Sequence, residues 1–353
     1  MNHKLENTSD HQLIDNYYTK LDVILCLLKS FFSIFKNISL KKKITKLFFD
    51  NNFIFLLSTK ETFFKSIFGY SYFENILLKK TFSNFFSFMG NNNKIIYLME
   101  NQKWEKIINF YCFNKKVTSY GFPHSGIREM DFRYFLNHEN ILMKKYLPSN
   151  LIVHSKDTSK WAKDINFNNN RIIKLESLRF LKNKFINLKY KHNFFYGSKN
   201  CMIFLDIYDK NKSPILNVVK KIYDEKIIKK IYLKTHPTID KKQIKKNYPF
   251  VKIVDNLSQA KDINFIITGS NTTASYLALY NNLPLFVYLR SGYLNMVPEF
   301  GKNKARYFYD YTSLKKELFN KNRSKFFDDK FHSNNDSIPL WKKFMVNLKN
   351  NKI

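Results

Sequence analysis

Residues 265–275, with the sequence FIITGSNTTAS, join an apolar run to a turn crowded with polar side chains. Free backbone N–H groups at the start of a helix attract an anion, and hydroxyl groups add hydrogen-bond donors. Capping of a helix by Ser270 or Asn271 is the plainer alternative, but a cap needs only one such residue. The crowding therefore favours a phosphate site. Its predicted ligands are Ser270, Asn271, Thr272 and Thr273.

Residues 232–237 (YLKTHP) form a second candidate phosphate contact. Side chains alternate along a strand, so Lys234 and His236 share one face. Pro237 keeps His236 in an extended conformation at the strand end. A lysine and an imidazole together can neutralise a departing phosphate, and the imidazole can donate a hydrogen bond to it. We therefore predict phosphate binding by both and a catalytic role for His236; a solvent-facing lysine and a structural histidine are the alternative.

Glu100 is the first candidate for a general base. It lies within residues 97–105 (YLMENQKWE), at the carboxyl end of a predicted strand. A carboxylate there suits removal of a proton from an acceptor hydroxyl. Glu105 is a second candidate. An acid that only stabilises the start of a helix is the alternative for both.

His124 is the other candidate catalytic base, on a loop bounded by proline and glycine within residues 120–133 (YGFPHSGIREMDFR). Ser125, on the same loop, is predicted to bind substrate. Arg128 and Arg133 are predicted to hold an acidic substrate, although an ordinary ion-pair cluster is the commoner outcome for such residues.

Short apolar runs alternate with helical stretches along the chain, which predicts parallel sheets covered by helices. Strands are predicted at residues 53–58, 94–99, 117–122, 151–154, 201–207, 231–235, 251–254, 265–268 and 284–289, with a further apolar run at 171–175. Helices are predicted at residues 21–40, 215–230, 272–280 and 338–348. The predicted fold is α/β, with two Rossmann-like domains facing a central cleft at the carboxyl ends of their strands and an N-terminal helical extension.

The polar and aromatic stretch 180–198 has no clear period and is the predicted domain boundary. The chain then divides into four parts. These are a helical segment at 1–50, an N-terminal Rossmann-like domain at 51–190, a C-terminal Rossmann-like domain at 191–330 and a closing helix at 331–353.

The chain of 353 residues has 60 Lys and Arg against 28 Asp and Glu, a formal net charge of +32. Such a charge attracts nucleic acid, anionic lipid or phosphorylated substrates. The basic residues are spread along the chain, and the richness in Lys, Asn, Ile and Phe is typical of an AT-rich genome. No nucleic-acid-binding motif is present, so nucleic acid is not a predicted partner.

The helix predicted at 21–40 contains Asp22, Lys29 and Lys36, which makes it a poor membrane-spanning segment. It is instead an amphipathic helix that packs on the first domain or lies on an anionic membrane surface. A non-catalytic scaffold at such a surface is a rival function. The three cysteines are far apart and follow no metal-binding spacing, which indicates a reducing cytoplasm and predicts no metal and no cofactor.

Taken together, these motifs resemble those of known enzymes. An HP dipeptide followed by a Ser/Thr motif, on the second of two Rossmann-like domains, is similar to bacterial sialyltransferases and Kdo transferases of capsule synthesis. The runs LMENQKWE, GFPHSGIREMDFRYF and LESLRF look like those of bacterial surface-carbohydrate (O-antigen or lipooligosaccharide) biosynthesis proteins. The resemblance implies the GT-B fold and a glycosyltransferase that uses a CMP-activated acidic sugar, inverting and independent of metal.

The resemblance also implies roles for particular residues. His236 would contact the donor phosphate, with Ser270, Thr272 and Thr273 holding it, and Glu100 or His124 would be the acceptor base. The first domain would hold a glycan or glycolipid acceptor and the second the nucleotide-sugar donor, in the cytoplasm or peripherally on the inner face of the inner membrane. The sequence lacks the acidic-acidic-glycine motif of many sialyltransferases. CDP-glycerol transferases share a similar layout and remain the alternative.

Overall fold

The computed structural model describes residues 14–50, 64–65, 69–89, 93–100, 102–123, 126–128, 134, 141–179, 199–206, 209, 213–281, 283–297, 305–320 and 335–350. The strand predicted at 53–58 and the boundary predicted at 180–198 lie outside these residues. Contacts along the chain divide it into two compact units. The first unit comprises Met1–Gly121 and Glu139–Asn150; the second comprises Phe122–His138 and Leu151–Ile353.

The first unit is rich in helices. The elements whose residues belong to it are α1 (Lys20–Asp50), α2 (Tyr70–Phe88), β1 (Lys94–Leu98), α3 (Lys103–Lys115), most of β2 (Thr118–Phe122) and α4 (Ile141–Lys144). Helix α1 starts where Thr19 and Asp22 cap each other: the Thr19 N–H donates to Asp22 Oδ2 at 2.9 Å, and the Asp22 N–H donates to Thr19 Oγ1 at 3.2 Å. This reciprocal cap explains why the helix begins at the sequence TKLD. The helix predicted at 21–40 is confirmed and continues to Asp50.

The remaining elements follow in chain order. They are β3 (Asn150–Val153), α5 (Lys156–Asp164), β4 (Ile172–Lys174), β5 (Lys199–Phe204), α6 (Pro214–Asp224), β6 (Ile228–Lys234), α7 (Lys241–Asn247), β7 (Val251–Ile253), β8 (Ile263–Gly269), α8 (Ser275–Tyr280), β9 (Leu285–Tyr288), β10 (Ala305–Phe308), α9 (Tyr311–Phe319) and α10 (Pro339–Lys349). The α/β class is confirmed, and the strands predicted within the described residues are present with ends shifted by up to three residues.

Strands β1 to β10 form two sheets. The four-stranded sheet has the order β1-β2-β3-β4, and β3 pairs with β4 in parallel. The six-stranded sheet has the order β10-β9-β8-β5-β6-β7, and all its pairs are parallel. Its two faces are covered by separate clusters of buried apolar side chains. Burial on both faces explains why its strands appear in the sequence as continuous apolar runs.

Two predicted helices have different bounds in the structure. The helix predicted at 215–230 stops at Asp224, because Lys226 adopts a left-handed conformation with φ 59° and its N–H bonds back to the Tyr223 carbonyl at 2.8 Å. Its last predicted residues belong to β6. The helix predicted at 272–280 begins only at Ser275, after a turn.

The order of the six strands creates a switch point between β5 and β8. From β5 the chain continues to β6 and β7 on one side, whereas β8, β9 and β10 lie on the other side. Register places Phe204 opposite both Lys234 and Thr268, so the carboxyl ends of these three strands are level. Ligands of doubly wound sheets bind beyond the carboxyl ends of the strands at such a reversal.

Candidate functional site

The polar turn predicted as a phosphate site follows β8 directly. Ser270 is 5% exposed, and the side chains from Asn271 to Thr273 are half-buried. Thr272 shapes the turn, because its Oγ1 accepts from the Ala274 N–H at 3.2 Å and its carbonyl accepts from Ser275 Oγ at 3.2 Å. The predicted ligands therefore precede α8, which has six residues, and the expectation that they line the start of a longer helix is wrong.

Arg128 reaches this turn from a distant loop. Its Nη1 donates to Asn271 Oδ1 at 2.9 Å, across 143 positions of sequence. The two were predicted separately, as a substrate ligand and as a phosphate ligand. The structure brings them together within the second unit.

Gly126 explains how the loop can approach so closely. A Cβ at this position would lie 1.7 Å from the hydroxyl oxygen of Tyr276, so only glycine lets the backbone pass there. Tyr276 is fully buried, and its hydroxyl donates to Asp157 Oδ2 at 2.5 Å. The tyrosine is thereby held against the glycine, and Arg128 follows two residues later beside the turn.

Arg179 is a second guanidinium at the turn. Its Nη2 donates to Thr273 Oγ1 at 3.2 Å. The segment before it is anchored by Glu176, which is 1% exposed and accepts from the N–H groups of Leu340 at 2.8 Å and Trp341 at 3.0 Å. Arg179 was not predicted as a site residue, although it lies in the run LESLRF that contributes to the family resemblance.

Two buried aspartates lie beyond the end of β5. A Cβ on Gly269 would lie 2.4 Å from Asp206 Oδ2, so this glycine allows the carboxylate to approach the end of β8. Asp209 is fully buried and accepts from Arg290 Nη2 at 2.9 Å and from Ser213 Oγ at 3.0 Å.

The pKa of the Asp209 carboxyl is raised to about 6, mainly by burial and further by the charge of Asp206, although Arg290 and Ser213 act to lower it. Sequence reasoning missed the two aspartates and Arg290. The signal that was available is an aspartate directly after the apolar run CMIFL, where a parallel strand ends.

His236 lies at the same edge of the sheet as the polar turn. His236 follows Lys234 by two residues, as Ser270 follows Thr268, and Lys234 and Thr268 are both level with Phe204. With β5 between them, the two chain segments are about 10 Å apart, which is two strand spacings. The His236 Nδ1 accepts from the Thr238 N–H at 3.3 Å and lies 2.8 Å from Thr238 Oγ1.

Lys234 has a different contact from the predicted one. Its Nζ donates to the carbonyl of Asp255, a residue that follows β7 on the far side of β6 from β5. This contact draws the ammonium away from the polar turn. Phosphate binding by Lys234 and His236 stays a prediction.

The remaining predicted site residues either belong to the first unit or lie outside the described residues. Glu105 is 2% exposed and its Oε1 accepts from the Glu100 N–H at 2.8 Å, so its carboxylate stabilises the start of α3. This contact fits the plainer alternative for Glu105, and its role as a base is not tested. Glu100 follows β1 and stays a prediction as the base. His124, Ser125 and Arg133 lie outside the described residues.

Comparison with known proteins gives similarity only to solved structures. No family model matches the sequence, and no curated protein matches it significantly. The UDP-N-acetylglucosamine 2-epimerase from Rickettsia bellii is 12% identical, with a TM-score of 0.49 over 78% of this chain and 78% of that chain. The UDP-GlcNAc 2-epimerase from Neisseria meningitidis, bound to UDP-GlcNAc, is 12% identical, with a TM-score of 0.48 over 76% and 82%.

The S. aureus MnaA structure with UDP is 14% identical, with a TM-score of 0.47 over 74% of this chain and 75% of that chain. Likeness of this degree carries no argument about the substrate or the activity of this chain.

Proposed function

We propose that the second unit binds the phosphate of a nucleotide-activated sugar and that the chain is a glycosyltransferase. One observation carries the proposal: two arginines from separate loops contact the polar turn. Arg128 donates to Asn271, and Arg179 donates to Thr273. A turn that only caps a helix needs one local polar side chain. Two guanidinium groups at such a turn are what an anionic ligand requires.

The chemistry of these groups fits a phosphate. A guanidinium is a planar fork of N–H donors that matches the oxygens of a phosphate and is charged at any physiological pH. Hydroxyl groups of Ser270, Thr272 and Thr273 supply further donors. The turn follows β8, beside the switch point of the sheet, where ligands of this class of fold bind.

The proposed reaction is displacement at the anomeric carbon of the sugar, with inversion. A base removes the proton of the acceptor hydroxyl, the acceptor oxygen forms the new glycosidic bond, and the bond from the sugar to the donor phosphate breaks. Negative charge then grows on the departing phosphate, where the arginines stabilise it. His236 is the proposed hydrogen-bond donor to that phosphate. Glu100 and His124 remain the proposed bases.

The finer assignment rests on the sequence resemblance. We favour a CMP-linked acidic sugar as donor and a bacterial surface glycan, such as lipopolysaccharide, O-antigen or capsule, as the product. The division into an acceptor domain at 51–190 and a donor domain at 191–330 remains part of the proposal. The three cysteines are free and buried thiols, as is usual in a reducing compartment, which supports a cytoplasmic location.

Nucleotide binding tests the phosphate site. Thermal shift and calorimetry with CMP, CDP, UDP and GDP should show stabilisation by one nucleotide, because a ligand that binds only the folded state stabilises it. Arg128→Gln and Arg179→Gln should each weaken that binding by roughly 10- to 100-fold, the effect of one charge-assisted hydrogen bond. Arg171→Gln is the matched control, since Arg171 is an exposed arginine of the same unit.

Wild-type binding by both Arg128→Gln and Arg179→Gln would show that the turn is not the phosphate site. Turnover of the matching nucleotide-sugar should also fall steeply in Ser270→Ala and His236→Ala. Mass spectrometry of the product distinguishes a transferred sugar from the glycerophosphate that a CDP-glycerol transferase would add.

A further inference from the structure

Helix α1 turns a broad apolar surface toward solvent. In its first half, eight large apolar side chains are 49–64% exposed. They are Leu21, Ile24, Leu25, Leu27, Leu28, Phe31, Phe32 and Phe35. Contiguous exposed apolar surface of this kind marks a site of interaction. We call these eight residues the apolar face of α1.

The opposite side of α1 packs against the protein, which leaves the apolar face in solvent. Asp22, Cys26 and Ser33 are 5–9% exposed and point toward the protein. Asp22 forms an ion pair with Lys80 of α2 at 3.4 Å and accepts from Asn84 Nδ2 at 3.4 Å. Successive residues turn by about 100°, so the apolar face spans an arc of about 160° opposite the packed side.

The helix is also strongly basic. Its 31 residues contain seven lysines and two aspartates, and one of those aspartates, Asp22, is already paired with Lys80. Lys29 and Lys46 are exposed on it. A helix with an apolar face and flanking lysines is typical of segments that lie in the surface of an anionic bilayer.

A pocket of about 520 Å³ opens beside the apolar face, between α1 and α2. Leu25 belongs both to the face and to the pocket wall, which also carries Lys29, Lys79 and Lys80. The buried Oδ1 of Asn75, in the same wall, has no hydrogen-bond partner among the described residues. The pocket thus offers cations for a phosphate and an acceptor for a hydroxyl group.

We propose that α1 docks the protein on an anionic phospholipid membrane, with the apolar face among the lipid chains at the interface and a headgroup phosphate at the lysines of the pocket. In the part of the chain that the structure describes, no helix is long and apolar enough to cross a membrane. An amphipathic helix with lysines beside its apolar face lies in the plane of the membrane surface.

Charge argues for lipid over a second copy of the chain as the occupant. A symmetric dimer through α1 would place the same lysines opposite each other, in a protein whose net charge is already +32. An anionic surface instead attracts each lysine near it, and the attraction adds to the burial of the apolar side chains.

Vesicle sedimentation with the full chain tests the apolar face. The protein should bind vesicles of phosphatidylcholine with roughly 30 mol% phosphatidylglycerol far better than phosphatidylcholine alone, because the lysines require anionic lipid. Phe31→Ser with Phe32→Ser should lower the partition coefficient on the order of 100-fold, since two rings no longer leave water. Phe113→Ser is the control: Phe113 is 61% exposed on α3 of the same unit and should keep wild-type binding.

The lysines of the pocket are tested separately. Lys29→Gln with Lys79→Gln should lower binding to the anionic vesicles by roughly 30-fold, the value for two lysines near a charged surface. Lys106→Gln with Lys163→Gln removes the same charge from exposed positions on α3 and α5 and should change binding much less.

Three results would overturn the proposal. The first is that the protein binds neither kind of vesicle. The second is that the wild type and the Phe31/Phe32 variant bind equally well. The third is that sedimentation velocity shows a concentration-dependent dimer that the Phe31/Phe32 variant abolishes. All variants should keep wild-type nucleotide binding, because the phosphate turn lies in the second unit. Failure of docking and failure of the proposed transferase site are thus separate outcomes.

Discussion

Replacement of Asp209 by asparagine should change how the stability of the second unit depends on pH. The carboxyl group is fully buried, and burial together with Asp206 raises its pKa to about 6. In the unfolded chain an aspartate has a pKa of about 3.9. Between these two values the folded state binds more protons than the unfolded state, so this group makes the fold less stable as the pH rises.

The size of the effect follows from the difference in pKa. Each pKa unit corresponds to about 1.4 kcal/mol, so the full titration of Asp209 changes the free energy of unfolding by about 3 kcal/mol. Roughly 2 kcal/mol of that change falls between pH 4 and pH 7. The asparagine of the variant has no charge to gain as the pH rises, and its amide oxygen can still accept from Arg290 and Ser213. We therefore expect Asp209→Asn to gain roughly 2 kcal/mol relative to the wild type over this range, whatever its stability at pH 4.

Urea unfolding at both pH values measures this difference. Of the three tryptophans, Trp161 and Trp341 belong to the second unit and Trp104 to the first, so fluorescence in a Trp104→Phe background reports on the second unit. Asp164→Asn controls for the loss of one negative charge, because Asp164 is an exposed carboxylate in the same unit. The argument from burial is refuted if the unfolding free energy of the variant minus that of the wild type stays constant or falls as the pH rises from 4 to 7.

Three further changes test other contacts. Gly126→Ala should lower the free energy of unfolding by about 1–3 kcal/mol, because the added Cβ would overlap the buried Tyr276. It should also weaken nucleotide binding, because the loop that carries Arg128 is displaced. Wild-type stability together with wild-type nucleotide binding would contradict the proposed loop geometry. Glu176→Gln should lower the free energy of unfolding, measured in urea, by about 1–2 kcal/mol. The reason is that a neutral side chain replaces a carboxylate that accepts two N–H groups at the start of α10. An unchanged urea midpoint would count against this role. The cysteines should resist Ellman's reagent in the folded protein and react after unfolding, because burial raises the pKa of each thiol; rapid modification of the native chain would contradict this. They are Cys26, Cys112 and Cys201.

The local elements were largely predictable because they depend on neighbours in the sequence. The apolar run before Gly269 and the polar crowding after it are enough to predict a strand that ends in a turn. The start of α8 was not predictable in the same way. Thr272 could either enter the helix or bond to the backbone of its own turn, and the structure shows that it does the latter.

Contacts between distant segments could not be predicted. Nothing local in the sequence around Arg128 shows that its side chain reaches Asn271, 143 positions further along the chain. The reason Arg128 reaches it lies in the fit of Gly126 against Tyr276, which is set by three-dimensional packing. The burial of Asp209 beside Arg290 also follows from packing, since an aspartate after a strand is as compatible with solvent as with a buried ion pair.

The amino-acid sequence by itself determined the α/β class, the positions of most strands and the polar turn after β8, because periodicity and turn chemistry act over a few residues. Only the tertiary structure decided which charged groups meet at that turn, that Asp206 and Asp209 are buried, and that the apolar side of α1 faces solvent. These depend on strand order and on the packing of segments far apart in the chain, such as the close approach of Gly126 to Tyr276.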